Sequence, residues 1–217
     1  NIFENMQYKN KEKELIAMEV DYLKNQTYKI LGNKLFSLDD IRSSDYYVPI
    51  DHIKNPLFSE VNPKITKEYL LITDGTTSAS LSYLNSILTD IGDFCKKNSL
   101  KIFLSPRLDS KKILADYEVF DYSQNSFEKV FAAVCRPGLG IITDLLYFSA
   151  VPIPIFSENN KELFYNKKVL DYLYSFKSEN VINLISYCLN NQSKLLDISK
   201  KQKFFGENQI LEFILNK

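Results

Sequence analysis

A short stretch near the middle of the chain combines the residue types with which α/β proteins bind nucleotides. The apolar run Phe131 to Cys135 predicts a buried parallel strand that ends at Pro137 and Gly138. Gly140 follows at the start of the next predicted helix, where a glycine lets a ligand approach backbone amides. Asp144 comes about one helical turn later, with a carboxylate that can accept hydrogen bonds from a pair of ribose hydroxyls. The alternative is an ordinary strand-to-helix connection in which the glycines serve close packing and Asp144 is solvated.

A second candidate segment directly follows the first predicted strand and reads Asp74-Gly75-Thr76-Thr77-Ser78. A glycine, three hydroxyls and the free amides of a helix N-terminus suit a diphosphate group. Asp74 would repel that group unless its carboxylate points away or is hydrogen-bonded to backbone. The alternative is a turn in which a Thr or Ser hydroxyl simply caps the helix.

Two further polar loops follow predicted strands. Backbone groups of the first loop could read the edge of a nucleobase, and its residues are Phe120, Asp121, Tyr122 and Ser123. Carboxylates and amides of the second loop, between Phe156 and Asn166, could bind sugar hydroxyls. The residues assigned to that role are Glu158, Asn159, Asn160, Glu162 and Asn166. Taken alone, the first loop is better explained as a plain polar loop, and the second as a solvated loop that caps a helix.

The remaining reactive side chains predict no further site. His52 lies in a stretch marked by prolines and is interpreted as a surface histidine. Arg107 is interpreted as solvated or ion-paired, with a phosphate or base contact as the alternative. Cys95, Cys135 and Cys188 are widely spaced in apolar surroundings, which favours reduced core thiols over a disulfide framework. With a single histidine in addition, we expect no metal site.

The candidate segments lie at the ends of apolar runs that alternate with helical patterns. Such alternation is typical of parallel-sheet units with right-handed crossovers, so we predict a Rossmann-like, three-layer α/β/α fold for residues 67–217. The predicted strands are Tyr69 to Thr73, Lys101 to Ser105, Tyr117 to Phe120, Phe131 to Cys135 and Pro152 to Phe156. Helical spacing predicts one helix through Leu81, Leu84, Leu88, Ile91 and Cys95, another through Val181, Leu184, Ile185, Cys188 and Leu189, and a last one from Glu207 to Leu215.

Residues 1–66 have a different character. A charged, helix-prone stretch from Lys11 to Leu31 leads through Gly32 into polar sequence that contains Pro49, Pro56 and Pro63. We interpret this part as a helical and irregular segment, the tail of one domain followed by a linker. Because the chain begins at Asn1, we expect it to be a piece of a longer protein.

The composition limits the classes of partner. Lys plus Arg and Asp plus Glu number 27 each, with no basic cluster among aromatics, so we expect no nucleic-acid surface. No apolar run approaches the roughly 20 residues needed to span a bilayer, and the N-terminus has no signal-peptide core. These features favour a cytoplasmic protein.

The order of the four loops resembles the C-terminal, donor-binding domain of GT-B glycosyltransferases. The resemblance is greatest to the peptidoglycan UDP-N-acetylglucosamine transferase branch and covers residues 68–215. A Gly-Gly-Ser/Thr loop of that family is matched by Asp74-Gly75-Thr76, and its base-reading loop by Phe120 to Ser123. Its Arg-x-Gly turn with a helical Glu is matched by Arg136-Pro137-Gly138 with Asp144. Its Gly-x-Pro strand and Gln-Gln-x-x-Asn loop are matched by Ala150-Val151-Pro152 and by Glu162 to Asn166.

This resemblance implies inverting, metal-independent glycosyl transfer from a UDP-type donor, with no cofactor, in the synthesis of a cell-envelope polysaccharide. The implied diphosphate-binding residues are Gly75, Thr76, Thr77, Ser78, Gly138, Leu139 and Gly140. Asp144 would hold the ribose. Residues 1–66 would be the remnant of an acceptor-binding domain plus the interdomain linker. The catalytic base, and any peripheral membrane contact, would then belong to the missing part, and the chain alone would bind the donor without transferring it.

Three departures from the family pattern keep other functions open. Asp74 stands in place of a glycine, Asp144 is shorter than the usual Glu, and Glu162-Leu163 replace two glutamines. One alternative is a nucleotide-sugar hydrolase or epimerase on the same scaffold. The other is a degenerate, non-catalytic α/β module that serves protein interaction.

Overall fold

The five predicted strands form one parallel sheet. The computed structural model describes residues 29–61, 66–74, 78–113, 115–155 and 160–215. The strands of this sheet are β3 (Tyr69–Thr73), β4 (Lys101–Leu104), β5 (Tyr117–Val119), β6 (Val130–Cys135) and β7 (Val151–Pro154). Their order is β5-β4-β3-β6-β7, with every neighbouring pair parallel. The bounds of β3 are the predicted ones, those of the other four strands differ from the prediction by one or two residues at an end, and Phe156 lies outside the described residues.

Helices cover both faces of the sheet, which explains why its central strands are apolar throughout. All residues of β3 and β6 are buried. Leu70 and Ile72 of β3 belong to a core on one face, whereas Tyr69 and Leu71 belong to a more aromatic core on the other, because side chains alternate along a strand. The three-layer α/β/α prediction is therefore confirmed.

The helices of this domain follow the predicted pattern. They are α2 (Ser78–Lys97), α3 (Gln124–Lys129), α4 (Leu139–Tyr147), α5 (Lys161–Tyr174), α6 (Val181–Asn190), α7 (Gln192–Lys200) and α8 (Gly206–Leu215), and a 3₁₀ turn spans Ser110–Lys112. In α2, Leu84, Leu88, Ile91 and Cys95 are fully buried. Their spacing of three to four residues places them on one helix face, which packs against the sheet.

A second, two-stranded sheet lies in the segment that the sequence indicated to be irregular. Strands β1 (Ile30–Asn33) and β2 (Tyr47–Ile50) pair in parallel and are joined through the short helix α1 (Asp39–Arg42). Ile30 and Leu31, assigned above to a helix-prone stretch, therefore lie in a strand, while residues 11–28 of that stretch lie outside the described residues. Most side chains of these strands are only half-buried, so no continuous apolar run or clear alternation marks them in the sequence.

The C-terminal segment returns to this small sheet and buries His52. The amide of His52 donates to Lys203 O (3.0 Å), the amide of Gly206 donates to His52 O (3.1 Å) and the amide of Asp51 donates to Gln209 Oε1 (2.7 Å). His52 is only 4% exposed and packs against the rings of Phe36 and Phe204. The expectation of a surface histidine is wrong, and burial lowers the pKa of this imidazole.

The contact at Gly206 leaves no room for a side chain. A Cβ atom there would lie 2.6 Å from Asp51 O and 2.9 Å from His52 O, both backbone atoms. We expect Gly206→Ala to lower the free energy of unfolding by about 2 kcal/mol, because the segment must shift and lose hydrogen bonds. Urea unfolding measures this change.

Gly140→Ala is the matched control for that measurement. Nothing lies within 4 Å of a Cβ at Gly140, so alanine there should leave stability unchanged or raise it by up to about 1 kcal/mol. Equal stability of the Gly206→Ala variant and the wild type would contradict the tight contact.

Candidate functional site

Most of the predicted site segments follow strands of the large sheet at its carboxyl edge. Parallel strands bring the segments that follow them to the same edge, where open α/β sheets bind their ligands. Asp74 follows β3, Tyr122 follows β5 and Gly138 follows β6, and β3 and β6 are neighbours in the sheet. Gly75, Thr76 and Thr77 of the predicted diphosphate loop lie outside the described residues, and Ser78 begins α2.

A cavity at this edge joins the predicted base and ribose residues. Its volume is about 420 Å³. It is lined by Asn55, Leu57, Phe58, Tyr122, Ser123, Gln124, Phe127 and Asp144. Two of the base-loop residues, Tyr122 and Ser123, thus share one cavity with the ribose candidate Asp144, although more than 20 positions separate them in the sequence. A pocket of this size with convergent polar groups is a binding-site candidate.

Asp144 has an electrostatic environment unlike that of a solvated helix residue. It lies in α4 and is half-buried. Burial raises the pKa of its carboxyl group to about 6, because desolvation disfavours the charged form. The group therefore titrates close to neutral pH, which is unusual for a surface aspartate and frequent at ligand sites.

The four residues of the base loop lie in three environments: Phe120 is buried, Asp121 is exposed, and Tyr122 and Ser123 line the cavity. Phe120 is buried, with its ring centroid 4.9 Å from that of Phe127, and it does not line the cavity. The carboxylate of Asp121 accepts a hydrogen bond from Ser123 N (3.0 Å), and hydrogen bonds from Ser126 and Ser123 lower its pKa. Only Tyr122 and Ser123 of the predicted base-binding set reach the cavity.

The side chain of Asp74 is directed into the protein, where its carboxylate forms an ion pair. Its side chain is 1% exposed, and its Oδ2 atom lies 3.2 Å from Arg107 Nη1. The hydroxyl of Ser105 donates to Asp74 Oδ1 (2.7 Å). Asp74 and Arg107 thus form an ion pair, which was one of the interpretations of Arg107.

A hydroxyl network links Asp74 to the cavity. Tyr122 Oη lies 3.1 Å from Thr73 Oγ1 and 3.5 Å from Ser105 Oγ. Tyr122 itself has a φ of 59°, in the left-handed region that is costly for a residue with a Cβ. The network fixes the Tyr122 ring beside the cavity despite this strain.

The turn after β6 has open space beside its two glycines. Nothing lies within 4 Å of a Cβ built on Gly138 or Gly140, so these glycines do not serve close packing within the described part of the chain. Gly138 is the N-cap of α4, and Leu139 is partly exposed beside it. α4 has nine residues, and the dipole at the N-terminus of a helix favours an anion.

The predicted sugar-binding residues separate into different environments. Glu158 and Asn159 lie outside the described residues. Asn160 caps α5 by accepting a hydrogen bond from Leu163 N (3.1 Å), and Glu162 is exposed in the first turn. Asn166 is buried, and its Nδ2 donates to Pro137 O (2.9 Å). This contact ties α5 to the turn before α4.

Sequence reasoning missed the contribution of residues 55–58 to the cavity. Asn55, Leu57 and Phe58 line the cavity from a segment more than 60 positions before the base loop. A proline-marked turn gave no signal of this contact, because only the tertiary fold places the linker there.

A second cavity, of about 240 Å³, lies where β1 and β2 end, beside residues 201–203. Lys34 and Asp51 at its wall form an ion pair (2.9 Å). None of the predicted site residues lines it.

Comparison with known proteins shows which solved structures share this fold. No protein-family model matches the chain, and no curated protein matches it. MurG of Acinetobacter baumannii aligns over 93% of this chain and 70% of its own, with a TM-score of 0.56 at 14% identity. The chain has the fold of the GT-B glycosyltransferases. The resemblance drawn from the four loops is thus confirmed at the level of fold.

Two further structures with the GT-B fold give the same result. The glycotransferase of kitacinnamycin aligns over 88% of this chain and 61% of its own, with a TM-score of 0.56 at 12% identity. The glycosyltransferase SnogD from Streptomyces nogalater aligns over 93% and 63%, with a TM-score of 0.56 at 13% identity. The chain therefore spans about 61 to 70% of the length of these three structures.

The described residues contain neither a membrane-spanning helix nor a cluster of metal ligands. None of the helices there is both long enough and apolar enough to cross a lipid bilayer. Nor do three His, Cys, Asp or Glu side chains of this part of the chain group together where they could hold a metal ion.

Proposed function

We propose that this chain is the donor-binding part of a glycosyltransferase that transfers a sugar from a UDP-type nucleotide with inversion. The observation that carries the proposal is the cavity that Tyr122, Ser123 and Asp144 line together at the carboxyl edge of the sheet. The N-terminus of α4, with Gly138 as its N-cap, follows β6 at the same edge.

The nucleoside would occupy this cavity. Asp144 would accept hydrogen bonds from the ribose hydroxyls, since a carboxylate is an acceptor with two oxygens. The loop at Tyr122 and Ser123 would contact the base through its backbone and the tyrosine ring. The sugar would lie beyond the diphosphate, toward Asn160 and Glu162.

The diphosphate would bind at the N-terminus of α4. Nothing lies within 4 Å of a Cβ built at position 138 or 140, and glycine at both positions leaves no side chain to obstruct a ligand at the amides that follow Gly138. As the sugar departs, negative charge grows on the diphosphate, and a preorganised set of amides stabilises it without a metal ion. From the sequence, we also assign diphosphate binding to Gly75, Thr76, Thr77 and Ser78.

The acceptor would be deprotonated by a group outside this chain. The resemblance assigns the base to an acceptor-binding domain that precedes residue 67, so the chain alone should bind a donor and not transfer it. The proposal requires no cofactor and no nucleic acid, and it places the reaction in the cytoplasm.

Calorimetry of the chain with UDP, GDP, CMP and TDP tests the proposal. We expect UDP to bind more tightly than the other three nucleotides. The loop at Tyr122 and Ser123 would select the base, Asp144 the ribose, and the N-terminus of α4 the diphosphate. Asp197→Ala, which removes an exposed carboxylate of α7, should bind UDP as the wild type does.

No binding of any nucleotide would overturn the proposal. The non-catalytic interaction module would then take its place, and the exposed apolar residues Leu211, Ile214 and Leu215 of α8 are the feature that favours it.

A further inference from the structure

The segment 55–59 is held firmly over the cavity. Phe58 inserts into the aromatic core, with ring centroids 4.8 Å from Phe148 and 5.5 Å from Phe127. Both contacts are edge-on, a favourable geometry for aromatic pairs. The linker is therefore part of the folded domain at this point and not a loose connection.

Hydrogen bonds fix the same segment on both sides of Phe58. The amide and the hydroxyl of Ser59 both donate to Gln124 Oε1 (2.9 Å each), and Tyr147 Oη donates to Ser59 O (2.7 Å). On the other side, Asn55 Oδ1 accepts from Leu57 N (3.1 Å), as in an Asx turn. Leu57 thus lies on a turn whose backbone position is set.

Leu57 is 87% exposed although it lines the cavity. Its side chain buries little surface within the fold, so its stability role is small. The half-exposed ring of Tyr122 lines the same cavity and is fixed by its own hydroxyl contacts. Two positioned apolar surfaces thus border one space.

We propose that Leu57 and Tyr122 clamp a flat, aromatic heterocycle, with the linker supplying one wall of the nucleobase pocket. This inference rests on the proposed function for the location of the nucleoside. Base stacking on an aromatic side chain and apolar contact with a leucine both favour a planar ring over water.

The Leu57→Ala variant tests whether Leu57 forms one wall of the nucleobase pocket. We expect the affinity for uridine and for UDP to fall about five-fold, since part of the apolar contact is removed. Leu57→Phe, which restores an apolar surface, should bind at least as tightly as the wild type. Tyr172→Ala is the matched control, because Tyr172 is 89% exposed on α5 and does not line the cavity. The unfolding midpoints of all three variants should equal that of the wild type.

The outcomes separate the clamp from the proposed function. Wild-type affinity of Leu57→Ala for uridine, with UDP still bound by the wild type, would overturn the clamp and leave the proposed function standing. An equal loss of affinity for pyrophosphate would also overturn the clamp, because the effect would not be on the base. No nucleotide binding by the wild type would overturn both.

Discussion

The Gly140→Asp variant will lose about 100-fold or more in affinity for UDP and will keep its affinity for uridine. Nothing lies within 4 Å of a Cβ at this position, so the side chain fits without a clash. An acidic residue in the first turn of a helix also favours folding. The new carboxylate stands where the diphosphate is proposed to bind, and two like charges about 4 Å apart at a protein surface repel by several kcal/mol.

A neutral variant at the same position separates the effect of the charge on UDP affinity from the effect of side-chain size. Gly140→Asn has nearly the same size as the aspartate and no charge, and it should retain most of the UDP affinity. Calorimetric titrations of both variants with UDP and uridine provide the comparison. Equal losses in the Asp and Asn variants would assign the effect to steric exclusion, and unchanged UDP binding by Gly140→Asp would contradict a diphosphate at this helix.

The affinity for uridine should depend on pH through the carboxyl group of Asp144. Burial raises its pKa to about 6, above its ordinary value of 3.8. Ribose hydroxyls donate to the ionised form, so uridine affinity should rise about ten-fold between pH 5 and pH 8. Uridine is the better ligand for this measurement because it has no phosphate that titrates in the same range.

Asp144→Asn should remove this pH dependence and weaken uridine binding at pH 8 by about ten-fold, the loss expected for hydrogen bonds to a charged group. A wild-type affinity that is flat from pH 5 to pH 8 would contradict the assigned role of Asp144.

Through the same carboxyl group, the stability of the folded protein should fall as the pH rises, whereas the affinity for uridine should increase. Its folded-state pKa is raised, so the folded protein binds the proton more tightly than the unfolded chain between about pH 4 and pH 6. Its contribution to stability is therefore lost as the pH rises through about 6, when the half-buried carboxylate becomes charged. Asp144→Asn should be more stable than the wild type at pH 8 by about 1 kcal/mol, since the group is only half-buried. A variant that is more stable yet binds less tightly is typical of a residue retained for a ligand.

The large sheet could be predicted from the sequence because its strands are buried on both faces. The run from Val130 to Cys135 is apolar at every position, and α2 carries its buried residues at helical spacing. These are local signals that survive without knowledge of the fold. The same reasoning failed for β1 and β2, whose half-buried residues give no pattern.

The candidate site was predictable only where its residues follow strands. Tyr122, Ser123 and Asp144 were found in this way and share a cavity. His52 was misjudged because its burial comes from Phe36 and Phe204, one of them more than 150 positions away. The Leu57 wall was missed for the same reason, since a distant contact leaves no trace in local sequence.

Two stretches of chain meet beside the small sheet. They are residues 51–61 and residues 201–206, and the hydrogen bonds between His52, Lys203 and Gly206 join them. A Cβ atom at position 206 would lie 2.6 Å from Asp51 O and 2.9 Å from His52 O, so glycine at this position allows the two stretches to approach to hydrogen-bonding distance. Because His52 and Lys203 are far apart in the sequence, forming this contact carries the entropic cost of closing a long loop.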